Sequence, residues 1–324
     1  MKRFLRVTAE QVYGTYDSSS PAFALYDPQD DDNSFKVMTS RPQWSIRDPA
    51  LNVPRVRGSE VYAVGAQWSG KMYWENYKFA YLPLRVNSGQ TTPWPTDQRP
   101  NDLASVTCDF GYSYYDLTLK RMRGLGMKIG NSWEFSARSD PANPFLRFRY
   151  DMVGSKTQPN AITTTTGVDE APDSSAFPEP AYADLPLLPL TFYQAVISSH
   201  STTLSYVDSF SIRGQQMFKP YYDGSRFVNR ISHQGRTVTL TLNLRLDGND
   251  LRYSYYEAIT AIGATTITFT KPGTANTLTF NFRSKSYIDQ LDENFPLNED
   301  SYASVSATAF LDSSPGDDFT ITYA

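Results

Sequence analysis

Between Arg236 and Leu246 the chain alternates: Val238, Leu240, Leu242, Leu244 and Leu246 fall on one side, and Thr237, Thr239, Thr241, Asn243 and Arg245 on the other. A period of two over this length predicts a half-buried strand. At 247–250 (DGND) the period changes, and Leu251, Tyr255, Ile259 and Ile262 recur at helical spacing. Asn249 or Asp250 offers an N-cap for that helix, and Gly263 fits the C′ position. Alternation resumes over Thr265–Thr270 and Thr277–Phe282. This part therefore predicts a β-domain with one helix on its flank.

The same reading gives strands at Phe35–Met38, Trp44–Arg47, Glu60–Val64, Lys71–Lys78, Ser105–Phe110, Tyr115–Arg121, Trp133–Arg138 and Leu146–Met152. In the later half it gives Leu190–Ser198, Tyr206–Arg213, Tyr302–Phe310 and Phe319–Tyr323. Residues 1–20 read as a polar lead-in with a turn at Gly14. Lys78–Val86 reads as a short helix limited by Pro83, and 89–100 as a loop. Gly124-Leu125-Gly126 reads as a hairpin turn, and Asp289–Asp300 as a loop between late strands. Lys156–Pro180 is rich in Thr, Ser, Pro and acid, with almost no large apolar residue. It is a linker or an arm that orders on a neighbouring subunit.

The 324 residues exceed the roughly 250–300 at which single cores stop growing, so two domains are expected. The halves also echo each other. Ser45-Ile46-Arg47 recurs as Ser211-Ile212-Arg213, Gly58-Ser59 as Gly224-Ser225, and Gly70-Lys71, one residue out of step, as Gly235-Arg236. The expected fold is all-β with minor α. It comprises two tandem related β-sandwich or barrel domains, residues 1–155 and 185–324, each with a short flanking helix and joined through 156–184.

Composition narrows the chemistry. A net charge of −4 is unlike that of a protein built to grip nucleic acid. The one cysteine, Cys108, lies in a strand and reads as a small buried hydrophobe. The two histidines, His200 and His233, have no second His or Cys at ligand spacing. There is no G-x-S-x-G elbow and no Walker motif, and the acidic loop 27–32 (DPQDDD) lacks EF-hand spacing. The tyrosine clusters 112–115 and 253–256 read as packing or interface residues. No enzyme, cofactor or metal site is expected. No apolar run is long enough for a transmembrane helix, and the N-terminus has no secretory h-region.

Several stretches together resemble the tail tube (major tail) proteins of long, non-contractile phage tails. Glu10-Gln11-Val12-Tyr13-Gly14-Thr15 is similar to that family's opening pattern. Residues 113–119 (SYYDLTL) and 148–156 (FRYDMVGSK) resemble its paired strands, the second ending in Val-Gly and a basic residue. Residues 206–212 (YVDSFSI) and the strand-to-helix step after Arg236 fit as well. The resemblance implies a structural virion protein that self-assembles, as trimeric rings stacked into a tube. Other tail proteins would sit at its ends, and genomic DNA would pass through the lumen without specific binding or membrane insertion. It implies location in the phage tail after assembly in the host cytoplasm. In that reading Thr237, Thr239, Thr241, Asn243 and Arg245 face the lumen. Basic Lys120, Arg121, Arg123 and Lys128 would meet acidic Asp289, Asp292 and Glu293 between rings. The alternative is a tail-tip or baseplate protein that binds a host glycan or receptor.

Overall fold

The computed structural model describes residues 2–10, 13–14, 22–25, 34–40, 43–47, 54–59, 63–73, 105–113, 119–154, 156–157, 190–199, 202–221, 228, 230–245, 265–273, 277–282, 286–294, 302–309 and 319–323. The strands among them are β1 (Lys2–Ala9), β2 (Ala22–Leu25), β3 (Ser34–Ser40), β4 (Gln43–Arg47), β5 (Pro54–Ser59), β6 (Ala63–Tyr73), β7 (Val106–Ser113), β8 (Leu119–Arg138), β9 (Arg147–Gly154) and β10 (Lys156–Thr157). A short 3₁₀ turn, Phe192–Gln194, then precedes β11 (Ala195–Ser199), β12 (Thr202–Thr203), β13 (Val207–Tyr221), β14 (Arg230–Arg245), β15 (Thr265–Thr270), β16 (Thr277–Phe282), β17 (Ser286–Asn294), β18 (Tyr302–Ala309) and β19 (Phe319–Tyr323).

Eight strands follow one another in a large antiparallel sheet, in the order β17-β18-β14-β13-β8-β9-β6-β3. A smaller layer runs β2-β1-β7-β8-β10, using the N-terminal part of β8. A second smaller layer runs β12-β11-β15-β16-β19. The order is duplicated. In the large sheet the later half contributes β17-β18-β14-β13 and the earlier half β8-β9-β6-β3, so that β17-β18 matches β8-β9 and β14-β13 matches β6-β3, with β4 and β5 inserted between β3 and β6 as a separate pair. The two smaller layers correspond strand for strand. Where the later half uses separate strands β16 and β17, the earlier half uses the single long strand β8. The two halves of the chain thus carry matching strand orders, and β13 of one pairs directly with β8 of the other.

β8 can serve two layers because it bends. Tyr150 faces Trp133 and Met152 faces Ile129, so β8 carries two more residues than β9 between those pairs. Such an irregularity turns the strand out of one layer into the next.

The core lies between the large sheet and the smaller layers. Alternate residues of the large sheet (Trp133, Phe135, Phe210, Ile212, Leu240 and Leu242) are buried. They meet Phe269, Phe280 and Phe319 of the later small layer: Phe135 and Phe280 have ring centroids 4.9 Å apart, Phe210 and Phe269 5.8 Å, and Trp133 and Phe319 5.7 Å. Each such side chain contributes roughly 1.5–3 kcal/mol by leaving water. Val106, Cys108 and Met127 of the earlier small layer belong to the same buried cluster as Trp68, Tyr150 and Met152.

The sequence reading meets the structure closely over β15, β16 and β19, whose bounds coincide with the expected strands. It is corrected in five places. The strands expected at Glu60–Val64 and Lys71–Lys78 meet in one strand, β6, which runs unbroken over Ala63–Tyr73. The polar lead-in contains a full strand, β1, paired along its length with β7. The expected hairpin turn at Gly124-Leu125-Gly126 is the interior of β8: Gly126 takes a φ of 65°, and β8 gains one residue against β7 there, which makes a bulge and not a reversal. The acidic stretch expected as a loop begins inside β17. The strand expected at Leu190–Ser198 starts only at Ala195, after the 3₁₀ turn. The helices expected at 251–263 and 78–86, the loop 89–100, the acidic loop 27–32, the tyrosines at 253–256 and 158–184 of the linker lie outside the described residues.

Candidate assembly surface

The large sheet has one buried face and one polar face. On β14, Val238, Leu240, Leu242 and Leu244 are buried, whereas Thr237 is exposed and Thr239, Thr241, Asn243 and Arg245 are half-buried. The five residues expected to face a lumen therefore share the polar face. They continue across the sheet in rows set by strand register. One row runs Thr308, Thr239, Arg213, Glu134, Arg149. The next runs Ser306, Thr241, Ser211, Ser136, Arg147, and a third runs Ser304, Asn243, Ser209, Arg138. Asn243 Nδ2 donates to Ser209 Oγ at 2.7 Å within the third. Sequence reasoning found the β14 column but not the arginines beside it, because they come from three other strands.

The basic and acidic residues expected to meet between rings do not form one set. Lys120 and Arg121 lie at the start of β8, opposite Tyr112 and Gly111 of β7. Asp289, Asp292 and Glu293 lie on β17, at one end of the eight-strand order. Arg123 and Lys128, by contrast, are buried within the chain. Arg123 Nε donates to Asp109 Oδ1 at 2.5 Å and its Nη2 to Oδ2 at 3.3 Å. Lys128 Nζ lies 5.2 Å from the ring centroid of Tyr13. A guanidinium engaged this way, with a side chain 5% exposed, is not a surface contact. Its sequence neighbourhood resembled a solvated tip only because the bulge glycine mimics a turn.

In the earlier small layer sits a polar clasp. Glu10 follows β1, and its carboxylate accepts four hydrogen bonds. Oε2 takes one from Gly14 N at 2.9 Å and one from Ser105 Oγ at 2.6 Å; Oε1 takes one from Thr107 Oγ1 at 2.8 Å and one from Gly126 N at 2.8 Å. One side chain thus ties the N-terminal turn to β7 and to the bulge of β8. Gly14, with a φ of 70°, and Gly126 reach it in backbone conformations that disfavour other residues. The clasp gives a physical reason for the Glu and the Gly of the opening Glu-x-x-Tyr-Gly-Thr pattern. The Val-Gly pattern has one as well: a Cβ on Gly154 would collide with Met127 Sδ and lie 2.8 Å from the Leu125 carbonyl oxygen. Substituting Glu10→Gln keeps the shape but turns an acceptor into a donor facing donors. It is expected to cost about 2 kcal/mol, read as a lowered Tm with an unchanged far-UV spectrum; an unchanged Tm would show the clasp to be energetically idle.

Cys108 is fully buried, and burial first, then Asp109 and Glu10, pushes its thiol well above the ordinary range. It stays protonated and poorly nucleophilic. Among the described residues no group of three metal-ligating side chains comes together, and no helix is long and apolar enough to cross a membrane. A family model described as phage tail tube protein matches residues 2–316. No curated protein matches the chain.

Proposed function

Because this chain belongs to the phage tail tube protein family, a structural component of phage tails, we propose that it closes head to tail into trimeric rings that stack into the tube through which DNA leaves the capsid. The observation that carries this is the duplicated strand order. Inside the chain, hairpin strand β13 of the later half pairs with β8 of the earlier half. The corresponding strands at the two ends of the large sheet are β3 and β17. Joining β3 of one copy to β17 of the next repeats a junction the fold already makes.

The geometry favours closure. The eight strands alternate in direction, so the two end strands run antiparallel and the joint continues the antiparallel pattern. Unpaired edges are a liability unless something covers them, and a head-to-tail contact that closes gives a ring with none. Three copies would supply about twenty-four strands. At about 4.8 Å between strands, opposing backbones stand about 37 Å apart before tilt widens the barrel. Eight strands alone would enclose only side chains.

In this arrangement the polar face, with Thr237, Thr239, Thr241, Asn243 and Arg245, lines the channel, and the later small layer lies outside. Asp289, Asp292 and Glu293 then belong to the joint between copies, Lys120 and Arg121 remain candidates for ring-to-ring contact, and the 156–184 segment is the candidate bridging arm. Other tail proteins cap the tube, assembly takes place in the host cytoplasm, and no catalysis is involved.

Two measurements test the proposal. Negative-stain images of the purified full chain are expected to show hollow filaments; persistent discrete particles would support a tail-tip role instead. Cysteine pairs, one from Ser34–Ser40 and one from Ser286–Asn294, are expected to cross-link between subunits in a single antiparallel register, against the silent background of buried Cys108. Cross-links confined to one subunit, or none in assembled filaments, would rule out this joint.

A further inference from the structure

The polar face of the large sheet is zoned. On β14 and β18 it is almost wholly hydroxyl and amide. On β8, β9 and the adjoining part of β13 it carries Arg138, Arg147, Arg149 and Arg213. Arg138, Arg149 and Arg213 are exposed, and Arg147 is half-buried. Among the described residues, Glu134, Asp140 and Asp151 bring three carboxylates to the same zone. Arg138 Nη2 is 2.5 Å from Asp140 Oδ2. Arg213 Nη2 reaches Glu134 Oε2 only at 3.5 Å, with the arginine side chain 56% exposed, a contact that water screens heavily. Asp151 is held by Gln67 Nε2 at 3.1 Å.

We propose that this arginine zone contacts the phosphate backbone of duplex DNA, leaving the hydroxyl zone as the surface over which the duplex slides. The inference rests on the tube reading, in which this face lines the channel. It departs from what the net charge of −4 suggests, because the fold gathers cations from three strands onto one face of an acidic chain. Arg149 and Arg213 flank Glu134 in one row, about 10 Å apart across two strand spacings, and Arg147 lies about 7 Å along β9 from Arg149. Charges so spaced can address several phosphates of a duplex at once. Contacts to phosphate carry no sequence information, as a conduit for a whole genome requires. Glu134 between the two arginines tempers their hold.

The test is binding of a short, random-sequence, fluorescently labelled duplex to the full chain kept unassembled, measured by anisotropy across a salt series. The wild type is expected to bind weakly, with log K falling as log salt rises. R149Q/R213Q should weaken binding for every sequence and make that slope shallower by roughly 1.8, the value for two lost phosphate contacts. R149K/R213K should keep the slope, E134Q should tighten binding, and K271Q, at the β15–β16 turn, should change nothing. No duplex binding at low salt, or an unchanged slope in R149Q/R213Q, overturns the inference. Loss of filaments in R149Q/R213Q with duplex binding unmoved also overturns it, by showing that the face meets an acidic strand of another copy. Failure of the tube reading is separate, since it appears as absence of hollow filaments from the wild type.

Discussion

Arg123→Glu is expected to yield no folded protein, and so no assembly to assay. Arg123 and Asp109 stand directly opposite each other on β8 and β7, with side chains 5% and 3% exposed. Two hydrogen bonds join them, and both side chains are almost wholly out of water. Removing one partner of such a pair costs about 3–5 kcal/mol, because the other is left charged in a poor solvent. Reversing the charge sets two carboxylates against each other and adds to that. Domains are held by only about 5–15 kcal/mol in all. The expected readout is insoluble expression, or a soluble form without a cooperative thermal transition. A double substitution, D109L/R123M, replaces both groups with apolar ones of similar reach and should recover most of the stability. A soluble R123E protein with the wild-type Tm would show that the pair is not buried in solution.

The same residue shows where sequence reading stops. Around Arg123 the pattern is basic and glycine-rich, which describes both an exposed turn and a bulged strand covered on both sides. A glycine at positive φ serves either role, and only the partner strand decides. The partner, β7, and the clasp residue Glu10 lie 14 to 116 residues away from the β8 groups they bind. The Leu/Thr column of β14 was legible because one face is buried and one is wet along its whole length, so local pattern and tertiary environment agree. β15, β16 and β19 were legible for the same reason. The arginine zone was not, since its members are spread over Arg138 to Arg213 and share a face only through register. The echo of Ser45-Ile46-Arg47 in Ser211-Ile212-Arg213 does not locate matching strands, since the first lies on β4 and the second on β13, whose counterpart in the sheet is β3. The matching order of the two halves, with an internal joint of the same kind as the free edges, needed the strand pairing.

Gly214→Val should be the most damaging substitution at the joint between the halves. Gly214 lies on β13 opposite Trp133 of β8, in the pairing that links the two halves of the chain. A Cβ built there would overlap Trp133 Cε2, Cζ2 and Nε1. Trp133 is 1% exposed and is itself hemmed in by Phe135 and Phe319, with ring centroids 5.7 Å away in both cases. The indole has no free direction, so the strands must part. Overpacking a tight core by a methylene costs about 1–3 kcal/mol, and valine adds three carbons. A loss of at least about 3 kcal/mol is therefore expected, with the far-UV strand signal retained longer than the near-UV signal of the tryptophans. Trp133→Leu alone should also destabilise, by the cavity it leaves. In the double variant the two losses should not add, because valine occupies the space the indole vacates. A coupling energy near zero in that cycle would mean that Gly214 and Trp133 do not share one site. The glycine would then have to be explained by backbone conformation, although it is not among the positive-φ glycines.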